Sequence, residues 1–177
     1  QNLASNVNSG TKTSSLMFGV QWDLVLAFMH NKGNIADNTL TSNSTTIGNY
    51  RDSVFQLSQT GKYAMFSNWT LSSTWNPSTT PTANFVDSSR NKIAQSSEGN
   101  GILVTTGTSE KNKVMNIYDI AGNVDEWTLE KNSNTYSPCA DRGGDSYDTG
   151  SRHPAAGRFS GSTDFSDYTL GFRVSLF

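Results

Sequence analysis

From residue 142 to residue 177 the chain reads RGGDSYDTGSRHPAAGRFSGSTDFSDYTLGFRVSLF. This stretch has neither helical nor strand period. Small, turn-forming and apolar blocks recur in it, at Arg142-Gly143-Gly144, at Pro154-Ala155-Ala156 and from Leu170-Gly171-Phe172-Arg173 to the end. Between the blocks stand unpatterned residues: Asp145, Tyr147, Asp148, Ser151, Arg152, His153 and Gly157, then Phe159, Ser160, Gly161, Asp164, Phe165, Asp167 and Tyr168. Tyr and Phe bring rigid area while Ser, Gly and Asp bring adaptable polar contacts, as in antibody paratopes. Such a mixture makes a poor core and a good contact surface, and it commits the chain to a loop-rich fold.

A count sharpens the point. Residues 1–140 contain 24 Lys, Gln, Glu, Met and Trp in all, and the rest of the chain contains none. At the upstream rate about six would be expected there, a more local comparison than average composition. These five are the residues that cannot arise when the adenines of an Asn codon are replaced by any base. Every unpatterned residue named above can arise that way. The plainer alternative is a surface loop rich in Gly, Ser and Asp that happens to lack five residue types.

Bulk properties remove several classes. The 177 residues suffice for one domain with a core. Charged residues are 16 % and the net charge is −2 without a basic cluster, so neither nucleic acid nor an anionic membrane is an expected partner. The longest apolar run, residues 24–29, is too short to span a bilayer. A single cysteine, Cys139, excludes an internal disulfide and a multi-cysteine metal site. The chain opens on Gln1 with neither Met nor a signal peptide, so a truncated piece of a longer protein is expected.

Residues 1–15 are polar and read as the fraying end of a helix. Residues 16–32 form the one strong helix pattern, with Trp22, Val25, Phe28 and Met29 on one face. Apolar nearly all round, this helix is expected to be buried, with Gly33 as its stop. Residues 34–91 turn to Asn, Ser and Thr, but recurring aromatics such as Tyr50, Tyr63 and Trp69 mark loops with short strands, not disorder. Asn43-Ser44-Thr45 and Asn68-Trp69-Thr70 fit the glycosylation triplet, which matters only in a suitable host. Residues 102–106 read as a buried strand. Asp119-Ile120-Ala121-Gly122-Asn123 is turn chemistry in which Gly122 and Asn123 can take positive φ. Residues 126–129 then alternate as a strand with Trp127 inward. Trp127 and Phe172 are expected to be buried aromatics.

The run Asn116-Ile117-Tyr118-Asp119-Ile120-Ala121-Gly122-Asn123-Val124, followed by Glu126-Trp127-Thr128, resembles the central signature of the formylglycine-generating (sulfatase-modifying) enzyme family. Arg142-Gly143-Gly144, Ala155-Ala156-x-Arg158 and Leu170-Gly171-Phe172-Arg173 follow in that family's order, and Gln21-Trp22 fits as well. The resemblance runs from about residue 16 to the end. It implies a C-type-lectin-like α+β fold over 1–177, loop-rich, with small antiparallel sheets and one main helix near residues 18–32. The family's catalytic cysteines have no counterpart. Ser151-Arg152-His153-Pro154 stands ahead of the Ala-Ala block, and Cys139 lies off the catalytic positions. Without a thiol pair there is neither a copper site nor a nucleophile for the oxidation, so no enzyme is expected. A Ser/His/Asp hydrolase built from His153, Ser160 and Asp164 lacks the nucleophile elbow.

What remains resembles the variable proteins of diversity-generating retroelements, which display a hypervariable ligand-binding face on this lectin-like fold. The resemblance implies a variable region over 142–177, with the fourteen unpatterned residues as its binding face. It also implies a protein or glycan receptor as partner and a place on a phage tail or bacterial surface. No cofactor is required. The family's calcium site, carried over by position, would use the Asp119 and Glu126 side chains with the carbonyls of Gly122 and Val124. The competing reading has Asp119 capping the turn and Glu126 paired with Arg142 or Arg173. Two other functions stay open: a calcium-dependent lectin of fixed specificity, and a divergent enzyme of the parent family.

Overall fold

In the computed structural model, which describes residues 2–5 and 13–176, the polar start of the chain is one helical turn, α1 (Asn2–Ser5), and a strand, β1 (Ser14–Leu16). The rest of the helix end expected over 1–15 lies outside the described residues. The main helix, α2 (Gly19–Gly33), begins where the Gln21 side chain accepts a hydrogen bond from the Phe18 backbone N–H at 2.8 Å. It ends at Asn34, which takes φ 53° and donates its own N–H to the Met29 carbonyl. The left-handed residue at its end is therefore Asn34 and not Gly33.

α2 is not buried all round. Trp22, Leu26 and Met29, at i, i+4 and i+7, enter the core, while Val20, Leu24 and Phe28 face solvent. Periodicity marks which residues are apolar; only the partner elements decide which stripe is covered. That partner is supplied by α3 (Asp37–Thr41), which brings Leu40, and by Ile47, Tyr50 and Ala155. The Trp22 indole N–H donates to the Ala155 carbonyl at 2.9 Å.

A second core lies on the sheet of β2 (Lys62–Ser67), β3 (Thr70–Leu71), β4 (Asn76–Pro77) and β5 (Gly101–Val104), where Tyr63, Ile102 and Val104 pack with Phe55, Leu57 and Val86. All four residues of β5 are buried, as its unbroken apolar run requires, but the strand ends at Val104, so Thr105 and Thr106 of the expected 102–106 strand lie outside it. A short 3₁₀ turn (Glu110–Asn112) leads to the ribbon of β6 (Lys113–Val114) and β7 (Ile117–Tyr118). In the turn that follows, Gly122 and Asn123 take φ of 67° and 69°, as the turn chemistry predicts, and Asp119 takes 49° as well. Its Asn123 side chain accepts hydrogen bonds from Asn49 and from the Val104 N–H, each at 2.9 Å. That joins the turn to β5.

The last sheet runs in the order β10 (Arg158–Gly161), β9 (Cys139–Arg142), β8 (Asp125–Lys131), β11 (Leu170–Phe172), with β11 parallel to β8 and the other pairs antiparallel. β12 (Val174–Leu176) leaves it to pair with β1, Ser14 opposite Leu176. Few helices, small and mostly antiparallel sheets and long loops make this a mixed α+β architecture. In β8 the inward residues are Glu126 and Thr128, and Trp127 is only half-buried on the other side. The expectation of an inward Trp127 is thus corrected, as is that of a buried Phe172, which is 38 % exposed. Glu126 can face inward because Arg173 meets its carboxylate at 2.6 Å.

Candidate ligand-binding face

The segment from residue 142 onward starts on a fixed turn. Gly143 and Gly144 take φ of 96° and 79°, and the chain then folds over the Asp145 carboxylate. Asp145 Oδ1 accepts the backbone N–H groups of Tyr147 and Asp148, both at 3.0 Å. Asp145 is buried, so it shapes the loop and does not face a ligand, contrary to the sequence expectation. Burial and the neighbouring Asp148 push its pKa up to about 7. Asp125 beneath it is raised well above the ordinary carboxylate range by burial, then by Asp145, Asp141 and Asp148.

The next stretch is pinned from outside. Backbone N–H groups of Ser44 and Arg51 donate to the carbonyls of Gly150 and Asp148, and Ser44 Oγ accepts from the Ala155 N–H at 2.9 Å. On this support Ser151 and Arg152 are exposed, Gly157 is half-buried, and His153 is half-buried with its ring stacked on Phe159 at 3.9 Å. His153 Nδ1 lies 3.3 Å from Asp148 Oδ2. Burial lowers its pKa against the pull of Asp148. Arg152 reaches outward to Glu98 at 3.1 Å and back toward Asp148 at 3.7 Å.

Beyond the half-buried Phe159, Ser160 is exposed on β10, and Asp164, Phe165, Asp167 and Tyr168 are exposed on the loop between β10 and β11. Gly161 is the second correction. It is buried, and a Cβ built there would sit 2.3 Å from the Trp127 ring. Gly161→Ala is expected to cost about 1–3 kcal/mol through overpacking, whereas Ser160→Ala next to it should stay within about 0.5 kcal/mol. Thermal melts of the two variants check the contrast. A cleft of about 430 Å³ opens beside this loop, lined by Leu16, Trp127, Leu129, Cys139, Phe165 and Phe172. Tyr147, half-buried, meets the buried Phe66 edge-on at 5.3 Å.

The calcium set carried over by position does not come together as a cage. Arg173 Nε meets Glu126 Oε2, and Arg173 Nη2 donates to the Asp119 carbonyl at 2.6 Å. Asp119 Oδ2 accepts the Gly107 N–H, and the Gly122 carbonyl accepts from the Val124 N–H. A guanidinium already supplies the positive charge here, so the four residues do not fit a second cation. Among the described residues no group of three or more His, Cys, Asp or Glu is arranged to hold a metal.

Two groups of residues that the sequence did not single out bear on the face. Asp23 and Glu130 each bind both Arg142 and Arg158, across α2, β8, β9 and β10. Trp69 and Glu98 border the face through Tyr147 and Arg152. Comparison with family models, curated proteins and solved structures found no match to this chain.

Proposed function

We propose that this is a ligand-binding protein of the variable class made by diversity-generating retroelements. In this reading the α+β architecture is a C-type-lectin-like domain related to the formylglycine-generating family. Residues 142–177 present its changeable face to a protein or glycan receptor, and the chain works at a phage tail or bacterial surface without catalysing a reaction. The observation that carries the reading is the complete loss of Lys, Gln, Glu, Met and Trp after residue 140.

The distribution of burial supports it. Ser151, Arg152, Ser160, Asp164, Phe165, Asp167 and Tyr168 are exposed, and the blocks between them carry buried residues that hold the loops, such as Arg142, Gly144 and Ala155. A side chain can vary freely only where it does not set the core. Randomising 151, 160, 164, 165, 167 and 168 together should therefore keep most library members folded. The same library at 145 and 161 should not, as judged by soluble yield and a cooperative melt.

The deciding experiment is sequencing of the encoding locus and its flanks in sibling isolates. A nearby near-copy of the segment for 142–177, differing from it only at adenines, is the expected result. Identical siblings with no such copy would overturn the reading and favour a lectin of fixed specificity.

A further inference from the structure

The loop that joins β2 to β3 contains two residues, Asn68 and Trp69, because Ser67 pairs with Thr70 and Phe66 with Leu71. Both have positive φ, 48° and 65°. A two-residue hairpin loop of this kind is a type I′ turn, which favours Asn followed by Gly. A tryptophan in the second place is costly twice over. Its backbone is held in the left-handed region, which its Cβ disfavours, and the residue remains 58 % exposed. Outliers of this sort persist where the surroundings hold them and cluster at ligand clamps.

The surroundings do hold this one. The Trp69 N–H donates to the Gly99 carbonyl at 3.0 Å, and its ring lies so close to Gly99 that a Cβ there would come within 2.7 Å of it. Its outer neighbour is Tyr147 of the changeable segment, edge-on at 5.0 Å. The Tyr147 oxygen lies 3.4 Å from the Thr169 hydroxyl, which also donates to Asp167 at 2.8 Å. Glu98, next to Gly99, Asp148, next to Tyr147, and Asp167 border this aromatic pair, and Arg152 pairs with the first two of them. The other three arginines of the segment are committed elsewhere, Arg142 and Arg158 to Asp23 and Glu130, and Arg173 to Glu126. The platform carries an excess of negative charge.

We propose that Trp69, outside the changeable segment, is a fixed anchor of the same face, and that with Tyr147 it receives a Lys or Arg side chain of a protein partner. The cation lies over the indole, and Asp167 supplies the counter-charge. The inference rests on the binding reading above, but not on how the segment was diversified.

The test is a titration of the ¹⁵N-labelled chain with a blocked Gly-Arg-Gly-Arg-Gly peptide, followed by backbone amides and Trp indole N–H signals. The Trp69 indole and the amides of Tyr147 and Asp167 should move and saturate, while the indoles of Trp75 and Trp127 stay put. The citrulline version of the peptide should bind at least about tenfold more weakly, and Asp167→Asn should weaken the arginine peptide several-fold. Trp69→Gly should abolish the response with Tm unchanged or raised, since it relieves the left-handed Cβ. A clear fall in Tm would make Trp69 a structural residue and overturn its role. Movement at 151–168 without Trp69 would remove the anchor and leave the binding face standing. Shifts with mannose or galactose but none with the peptide would overturn the cationic partner. No response to the peptide would overturn the inference, while the locus sequence judges the display reading separately.

Discussion

Replacing Arg142 by alanine is expected to cost about 3–5 kcal/mol, which for a chain of this length is a fall in Tm of roughly 10 °C or more. Arg142 has no exposed side-chain surface and lies in a closed ring of four charges. Its Nη2 meets Asp23 at 2.7 Å and its Nη1 meets Glu130 at 2.8 Å, while Arg158 binds the other oxygen of each acid. The guanidinium also lies over the Trp22 ring, 5.6 Å from its centroid. Alanine leaves a cavity beside Trp22 and two acids sharing the half-exposed Arg158. The lost attraction is only part of the penalty, because carboxylates that were compensated no longer are.

Arg142→Lys separates the contributions. It keeps the charge but cannot bind two carboxylates in one plane, so it should recover less than half of the loss. Thermal denaturation followed by circular dichroism measures both variants. A loss below about 1 kcal/mol for alanine, the value of a surface pair, would show that the ring does not hold the structure. The ring matters to the proposed face because Arg142 and Arg158 lie within residues 142–177, whereas Asp23 and Glu130 do not. The segment's frame is thus fixed by charges outside it.

The sequence reading succeeded where one residue's backbone chemistry decides the outcome and failed where a distant partner does. Gly122 and Asn123 were legible as left-handed turn residues because few others tolerate that conformation. The unbroken apolar run of β5 was legible for a similar local reason. Strand alternation in β8 was legible too, but not which side faces the core. That was settled by Arg173, whose charge lets Glu126 point inward and turns Trp127 toward the cleft. The Arg142–Asp23 contact spans 119 positions and the Arg158–Asp23 contact 135, so no spacing rule could reveal the ring. Asp145 looked like a surface residue because its role is to accept two backbone N–H groups within a loop. Trp69 was missed because tryptophan is not turn vocabulary; Asn68, between two strand-like runs, was the usable signal.

Stability should fall as pH rises from about 5 to 7, the opposite of ordinary acid denaturation. Burial pushes Glu126 up to about 7 in spite of Arg173, Asp145 up to about 7 and Asp141 up to about 6, and raises Asp125 as well. In the unfolded chain these groups titrate near 4. Between those values the folded state binds more protons than the unfolded one. The stability they contribute is therefore complete below about pH 4 and lost as pH climbs through 6 to 7. Each buried carboxyl changes stability by up to about 1.4 kcal/mol per pH unit over that window. Together they should lower Tm by roughly 5–15 °C between pH 5 and 7. Lys92 acts beyond that range. Its ammonium donates to the carbonyls of Tyr50 and Ser53, yet burial lowers its pKa to about 7 against about 10.4 unfolded. Stability is regained as pH rises from 7 toward 10, which places the minimum near pH 7. Asp145→Asn retains an oxygen for the Tyr147 and Asp148 N–H groups but cannot ionise, so it should flatten the slope between pH 5 and 7 and raise Tm at pH 8. A Tm that holds or rises across that interval, or an Asp145→Asn slope equal to the parent's, would mean that these carboxyls are already charged in the folded protein.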